Sequence, residues 1–308
     1  MTCHAGGVIA LLSAPTNLGL RPPAPGRVPG TWRAPEVLRA AGLHGRLAAA
    51  GAVDAGVVEP GPYVDDDGRR PPGTIRNQAA VVDHARRLSR RIVELVDAGR
   101  TPLVLGGDCS LLVGAGLALR TVEGGGGLVH VDGHTDFRHP GNSDACGSLA
   151  GEDLAAAVGL HVPEVADVDG LGPYVEPARA VHVGCREDDE HAAEVRGLLA
   201  DVVPAAEVVR DGGAAVAERM LAAVGAADGF WLQLDVDVLD PAWMPAVDSP
   251  DPGGLDPEQL VELLRPLAPW ALGASVTVFD PEQDPDGRYA ATVVDVVVRG
   301  LGDLGSRR

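Results

Sequence analysis

Short apolar runs alternate along this chain with longer runs whose apolar residues recur at helical spacing. VIALLSA (8–14) is apolar at almost every position and predicts a first buried strand. APEVLRAAGLHGRLAAA (34–50) predicts a helix broken at Gly42, and a Gly/Pro/Asp-rich loop follows at 59–73. Val81, Val82, Ala85, Leu88, Ile92, Val93 and Val96 share one helical face, so 78–98 reads as a helix. PLVLG (102–106) predicts a strand, 110–121 a helix and GLVHVD (127–132) another strand. The rhythm continues through strands ARAVHVGC (178–185) and GFWLQLDVD (229–237), with helical segments between and after them. Helix PEQLVELLRPLA (257–268), strand GASVTVFD (273–280) and a helix from near 288 complete it. Strands this apolar are buried on both faces, which implies a mainly parallel sheet covered by helices. The expected fold class is α/β, a three-layer α/β/α sandwich formed by one domain over 1–308. GGGG at 124–127 reads as a loop.

Composition agrees with a packed core: 45% of the 308 residues are hydrophobic and 22% charged. Only 3% are aromatic, so Val, Leu and Ala must fill it. The formal net charge is −19, and all 25 basic residues are arginines. So acidic a surface argues against nucleic acid and anionic membranes as partners, and leaves a small-molecule substrate. No apolar stretch is long enough to span a bilayer. The N-terminal apolar run lacks a basic segment before it, which reads as a strand and not a signal peptide. Cys3, Cys109, Cys146 and Cys185 form no CxxC pair; free thiols fit a cytoplasmic protein.

Two polar constellations end apolar strands. In HVDGHTDFRH (130–139), Asp132, His134 and Asp136 stand at i, i+2 and i+4 and leave one face of an extended chain. One imidazole between two carboxylates suits a divalent metal of borderline hardness; the alternative is a polar loop whose acids cap the next helix. In LQLDVDVLDP (232–241), Asp235 and Asp237 again share a face and would repel each other unless protonated or bound to cations. Asp240 with Pro241 reads as a turn. Four aspartates and a histidine exceed what one structural zinc needs. They suit two ions about 3.5–4 Å apart that share carboxylates and activate a water nucleophile. Cys109, in LVLGGDCSLL (103–112), is then a sixth ligand; a small buried residue or a nucleophile are the other readings.

GGDCS, DGHTD and DVDVLDP followed by GGL (253–255) resemble, in order, the three signatures of the ureohydrolases: arginase, agmatinase, formiminoglutamase and relatives. GTWRAPEVLRAAGL (30–43) and IRN (75–77) resemble further family segments, so the likeness spans most of the chain. It implies the arginase-type α/β/α sandwich, a trimer or hexamer, and two divalent ions, usually Mn2+. It also implies roles: Asp132 and Asp235 bridging, Asp136 completing one site, His134 and Asp237 the other. The family places histidine where this chain has Cys109. A thiolate adds negative charge and makes Zn2+ or Fe2+ more competitive.

Other departures concern the substrate. The acid that holds a guanidinium in the family falls on Thr277 or Val278, in SVTVFDP. The relay histidine is replaced by Ala150, in SLAGEDL. Arg138 stands where arginase has an asparagine, a pattern closer to formiminoglutamases, and can bind a substrate carboxylate or pair with a surface acid. Asp188 or Asp189 could bind a substrate ammonium, and His139 could replace the lost relay; a solvated loop and an uninvolved histidine are the alternatives. Cys146 and Cys185 read as small packed residues, and Cys3 and His4 as terminal. The expected activity is metal-dependent hydrolysis of a C–N bond in a guanidino, N-hydroxyguanidino or amidino compound. A formiminoglutamase-like hydrolase and a metal-binding, non-catalytic member are the alternatives. A deacetylase-type amide hydrolase is disfavoured because no paired His-His base is present in the sequence.

Overall fold

A computed structural model describes residues 7–66, 69–122 and 126–308. Cys3, His4 and part of the glycine run at 124–127 lie outside these residues. Among the described residues eight strands form one sheet: β1 (Val8–Ala14), β2 (Val53–Val57), β3 (Arg100–Gly106), β4 (Gly127–Val131), β5 (Ala180–Val183), β6 (Asp201–Val203), β7 (Phe230–Asp235) and β8 (Ala271–Thr277). Their order is β2-β1-β3-β8-β7-β4-β5-β6, and every pairing is parallel. Parallel neighbours require crossovers, and the helices that make them cover both faces of the sheet. Two hydrophobic clusters result. One contains Leu103, Val129, Leu232 and the apolar face of helix Pro257–Leu267. The other contains Val104, Leu128, Trp231 and the apolar residues of helices Gln78–Asp97 and Leu111–Thr121. No helix among the described residues is long and apolar enough to cross a membrane.

Two strands escaped the sequence pattern. β2 is a half-exposed edge strand, VDAGV, with no buried face to imprint alternation. β6 is only 3 residues long. The expected strand at 273–280 ends at Thr277, because Val278 turns into the left-handed region at φ 59°.

The helix Gln78–Asp97 carries a pH liability. His84 is buried, and its Nε2 donates to Val58 O at 3.0 Å. Burial is the main cause that lowers its pKa, to about 4. The unfolded chain binds this proton near pH 6.5, so the contribution is present above that pH and is lost as pH falls toward 4. The whole shift corresponds to roughly 3 kcal/mol. His84→Gln retains an N–H donor; its urea midpoint should fall less than wild type between about pH 7 and pH 4.5. Parallel curves for the two proteins would exclude His84 as the titrating group.

Candidate metal centre and substrate pocket

The four central strands β3, β8, β7 and β4 deliver their C-terminal ends to one place, the position where open parallel sheets hold ligands. β3 ends at Gly106, and Gly107 lies so close to Thr16 that a Cβ there would stand 2.0 Å from Thr16 O. Asp108 is not a site residue: its carboxylate accepts from Gly19 N (3.1 Å), Ser110 N (2.9 Å) and Thr16 Oγ1 (3.4 Å). This anchored turn presents Cys109, which is fully buried. Its Sγ lies 2.8 Å from Asp235 Oδ2 and 3.1 Å from Thr277 Oγ1.

The other predicted ligands converge on the same point. Asp132 follows β4 directly; its Oδ1 accepts from His134 N at 2.7 Å, while the buried Oδ2 has no hydrogen-bond partner. Asp235 Oδ1 accepts from Asp237 N at 2.7 Å. Asp237 Oδ1 accepts from Gly133 N (3.0 Å), and its Oδ2 lies 2.9 Å from His134 Nδ1. Gly133 cannot be larger, because a Cβ would meet Asp237 O at 2.7 Å. Asp136 sits at φ 45°, a conformation aspartate tolerates better than most residues, and faces the cavity. Ligand atoms of Cys109, Asp132 and Asp235 lie within 4.8 Å of one another, as do those of Asp132, His134 and Asp237. Two donor sets thus share Asp132.

Electrostatics show what this arrangement demands. Burial first, and then neighbouring carboxylates, push Asp132, Asp136 and Asp235 well above the ordinary carboxylate range. Burial and Asp235 push the Cys109 thiol up as well. Burial also opposes ionisation of Asp237, but the bond to His134 outweighs it and leaves this carboxyl below its usual value. Burial lowers His134; Asp237 and Asp251 overcome that and raise it to about 9. Such crowding of buried anions, with Asp132 Oδ2 unpartnered, fits cations. Carboxylates, one imidazole and one thiol suit first-row divalent metals.

Behind the ligands lies a polar row that the sequence reading missed. Trp231 Nε1 donates to Ser275 Oγ (2.8 Å), Ser275 Oγ to Gln233 Oε1, and Gln233 Nε2 to Thr277 Oγ1 (3.2 Å). Thr277 Oγ1 also lies 3.2 Å from Leu234 O, to which it donates. Thr277 is therefore packed behind Cys109 and does not line the cavity, so its expected substrate role is corrected: Val278 forms the pocket wall instead. His139 is also displaced from its expected role. Its ring stacks edge-on against Phe137, Nε2 lies 3.0 Å from Glu194 Oε1, and Nδ1 accepts from Gly141 N. No free ring nitrogen remains to relay protons.

The cavity above the centre has a volume of about 1150 Å³. Arg138 lines it, with Nη2 3.0 Å from the exposed Glu190 Oε1. Asp188 lines it with an exposed side chain. Asp189 is committed to the loop, accepting from Thr135 N (2.9 Å), Thr135 Oγ1 (2.6 Å) and His191 N (2.9 Å). Asp248, which was not anticipated, lines the cavity with an exposed side chain. Cys146 is half-buried and Cys185 buried, both as free thiols.

Comparison with known proteins bears on this site. The Arginase family profile matches residues 9–302. The arginase of Bacillus caldovelox is 31% identical over 230 residues, 73% of this chain and 76% of that protein. The arginase of Agrobacterium fabrum is 30% identical over 302 residues, 93% of this chain and 88% of that protein. The solved structure of the Bacillus caldovelox arginase superposes with a TM-score of 0.83 at 27% identity, covering 96% of this chain and 98% of that one. Family profile, sequence similarity and overall superposition thus agree, and the chain belongs to the arginase family of hydrolases.

Proposed function

We propose that this chain is a dinuclear-metal hydrolase that cleaves a C–N bond of an N-substituted guanidino compound, such as an N-hydroxyguanidine, releasing an amine and urea or a urea analogue. The observation that carries this reading is the meeting of Cys109, Asp132, His134, Asp136, Asp235 and Asp237 in one cluster, of which His134, Asp136, Asp235 and Asp237 line the cavity and Cys109 and Asp132 lie buried behind them. Asp132 and Asp235 would be the shared ligands, with Cys109 and Asp136 holding one ion and His134 and Asp237 the other. Mn2+ is the expected metal, with Zn2+ or Fe2+ made competitive by Cys109. Bound there, the two ions supply a water that is nucleophilic at neutral pH and stabilise charge on the tetrahedral carbon.

The chain's own residues do the rest. Asp136 faces the cavity from the ligand cluster, where its carboxylate is placed to accept a proton from a water at the cluster. It takes the proton that the attacking water loses as the C–O bond forms. It returns that proton to the amine nitrogen as the C–N bond breaks. Ala150 offers no relay, so this shuttle falls to Asp136. Arg138 can exchange Glu190 for a substrate carboxylate, and Asp188 faces the same space with an acid for a substrate ammonium.

Val278 decides the head group. An apolar wall replaces the counter-charge that a plain guanidinium needs, which favours a less basic head group; a formimino amino acid is the second reading on the same observation. Val278→Glu is expected to raise kcat/KM for unsubstituted guanidino acids, relative to N-hydroxy analogues, by roughly tenfold or more. An unchanged ratio would place the discriminating group elsewhere. The activity itself is tested by measuring urea, ammonia and amine release from guanidino and formimino compounds, with and without added Mn2+. Metal-dependent release is expected; no turnover of any guanidine, formimino or amide substrate by metal-loaded protein sinks the enzyme reading in favour of a non-catalytic metal-binding protein.

A further inference from the structure

On the face of the sheet beneath the ligands, strand register lines up a second set of polar residues. His130 on β4 is in register with His182 on β5 and Gln233 on β7. His130 and His182 are both fully buried, and their Nδ1 atoms lie 2.9 Å apart. One Nδ1 therefore donates to the other, and the free end of His130 is Nε2. That atom has no hydrogen-bond partner. It lies 3.7 Å from Asp132 Oδ2 and 3.5 Å from Asp153 Oδ1. Both distances are too long for hydrogen bonds. They are close to the separation of two donors bound to one ion at about 2.1 Å each.

Asp153 opens the short helix Asp153–Ala157 and is fully buried. Neither of its carboxylate oxygens has a hydrogen-bond partner. A fully buried carboxylate without partners is costly to hold in a purely structural role. Its ligand atoms lie within 4.8 Å of those of Cys109 and Asp136, and those of His130 within 4.8 Å of those of Asp132 and Asp136. Three unpartnered buried atoms, His130 Nε2 and both Asp153 oxygens, thus face the corner where Cys109 and Asp136 already meet.

We propose that Asp153 and His130 are ligands of the ion on the Cys109 side, joining Cys109, Asp136 and the shared Asp132 and Asp235 in an enclosed pocket for a first-row divalent metal. It rests on the two-ion reading above, and it gives that ion a different character from its neighbour. The Cys109-side ion is held from below by imidazole and carboxylate, and His182 orients the imidazole through Nδ1. The other ion keeps His134 and Asp237 as its own ligands.

Cobalt titration of the full chain tests this, because thiolate-to-cobalt charge transfer reports only the ion beside Cys109. Wild type should take up two equivalents, one of them producing the band. Asp153→Asn should weaken the band-forming equivalent by roughly tenfold or more, with the silent equivalent unchanged; His130→Gln should act in the same direction. Wild-type affinity at both positions in Asp153→Asn overturns the proposal, as does equal weakening of both. If neither variant folds by circular dichroism, a metal-loaded wild-type crystal decides. Asp153 and His130 Nε2 both within about 2.5 Å of the ion support the assignment, and either one farther away overturns it. A wild-type chain that takes up no cobalt overturns the two-ion reading as well, whereas a normal wild-type titration with unaffected variants overturns only the role of Asp153 and His130.

Discussion

Asp235→Asn is expected to lower kcat/KM by roughly a thousandfold or more, equivalent to about 4 kcal/mol of transition-state stabilisation. The substitution is nearly isosteric. Its remaining oxygen can still accept from Asp237 N, as Asp235 Oδ1 does at 2.7 Å. The other oxygen, 2.8 Å from Cys109 Sγ, becomes an NH2 group that can neither accept from the thiol nor bind a cation. The ion-free protein should not suffer in proportion. Asp235 is pushed up by burial and then by Asp237 and Asp132, so neutralising it removes a repulsion. Opposite movements, activity collapsing while the chelated protein holds or gains melting temperature, mark a ligand rather than a packing residue. Steady-state kinetics and bound-metal analysis check this; activity within about tenfold of wild type would falsify the shared-ligand role.

The fold and this cluster were legible for one physical reason. β1, β3, β4, β7 and β8 are buried on both faces, so their apolar runs stand out, and a charge at their ends is conspicuous. Asp132, Asp235 and Cys109 all lie at or just beyond such ends. Residues inside the strands were harder to see. His130, Gln233 and Ser275 interrupt apolar runs singly, and only register shows that they form one row. Asp153 carries no local signal because it opens a short helix whose position is set by tertiary packing. The choice between Thr277 and Val278 was not legible for a related reason. Strand alternation cannot foresee that β8 stops there and that Val278 turns at φ 59°, which sends Thr277 behind Cys109 and Val278 into the cavity. His139 failed because proximity in sequence to Asp136 does not imply proximity in space: Glu194 and Phe137 hold it elsewhere.

Removing the ions should expose the cost of this carboxylate cluster, with a sign that pH can read. Asp132, Asp136 and Asp235 have folded-state values raised by burial and mutual repulsion. Groups raised in this way favour the fold fully below their unfolded pKa, and that contribution is lost as pH rises through the folded values. The chelated protein should therefore lose melting temperature as pH rises from mildly acidic to alkaline. His84 works in the opposite direction below about pH 6.5, so His84→Gln is the background in which the trend is clean. Cation binding replaces proton binding at the same oxygens, so saturating Mn2+ should abolish the slope. Two ions at about 100 times their Kd contribute roughly 5 kcal/mol together, or about 10 °C for a chain of this size. Calorimetry at several pH values, with chelator and with Mn2+, measures both quantities. A chelated protein whose melting temperature is flat in pH would mean that these carboxylates bind no more protons in the fold than in the unfolded chain, and one unmoved by Mn2+ would mean that the cluster holds no metal.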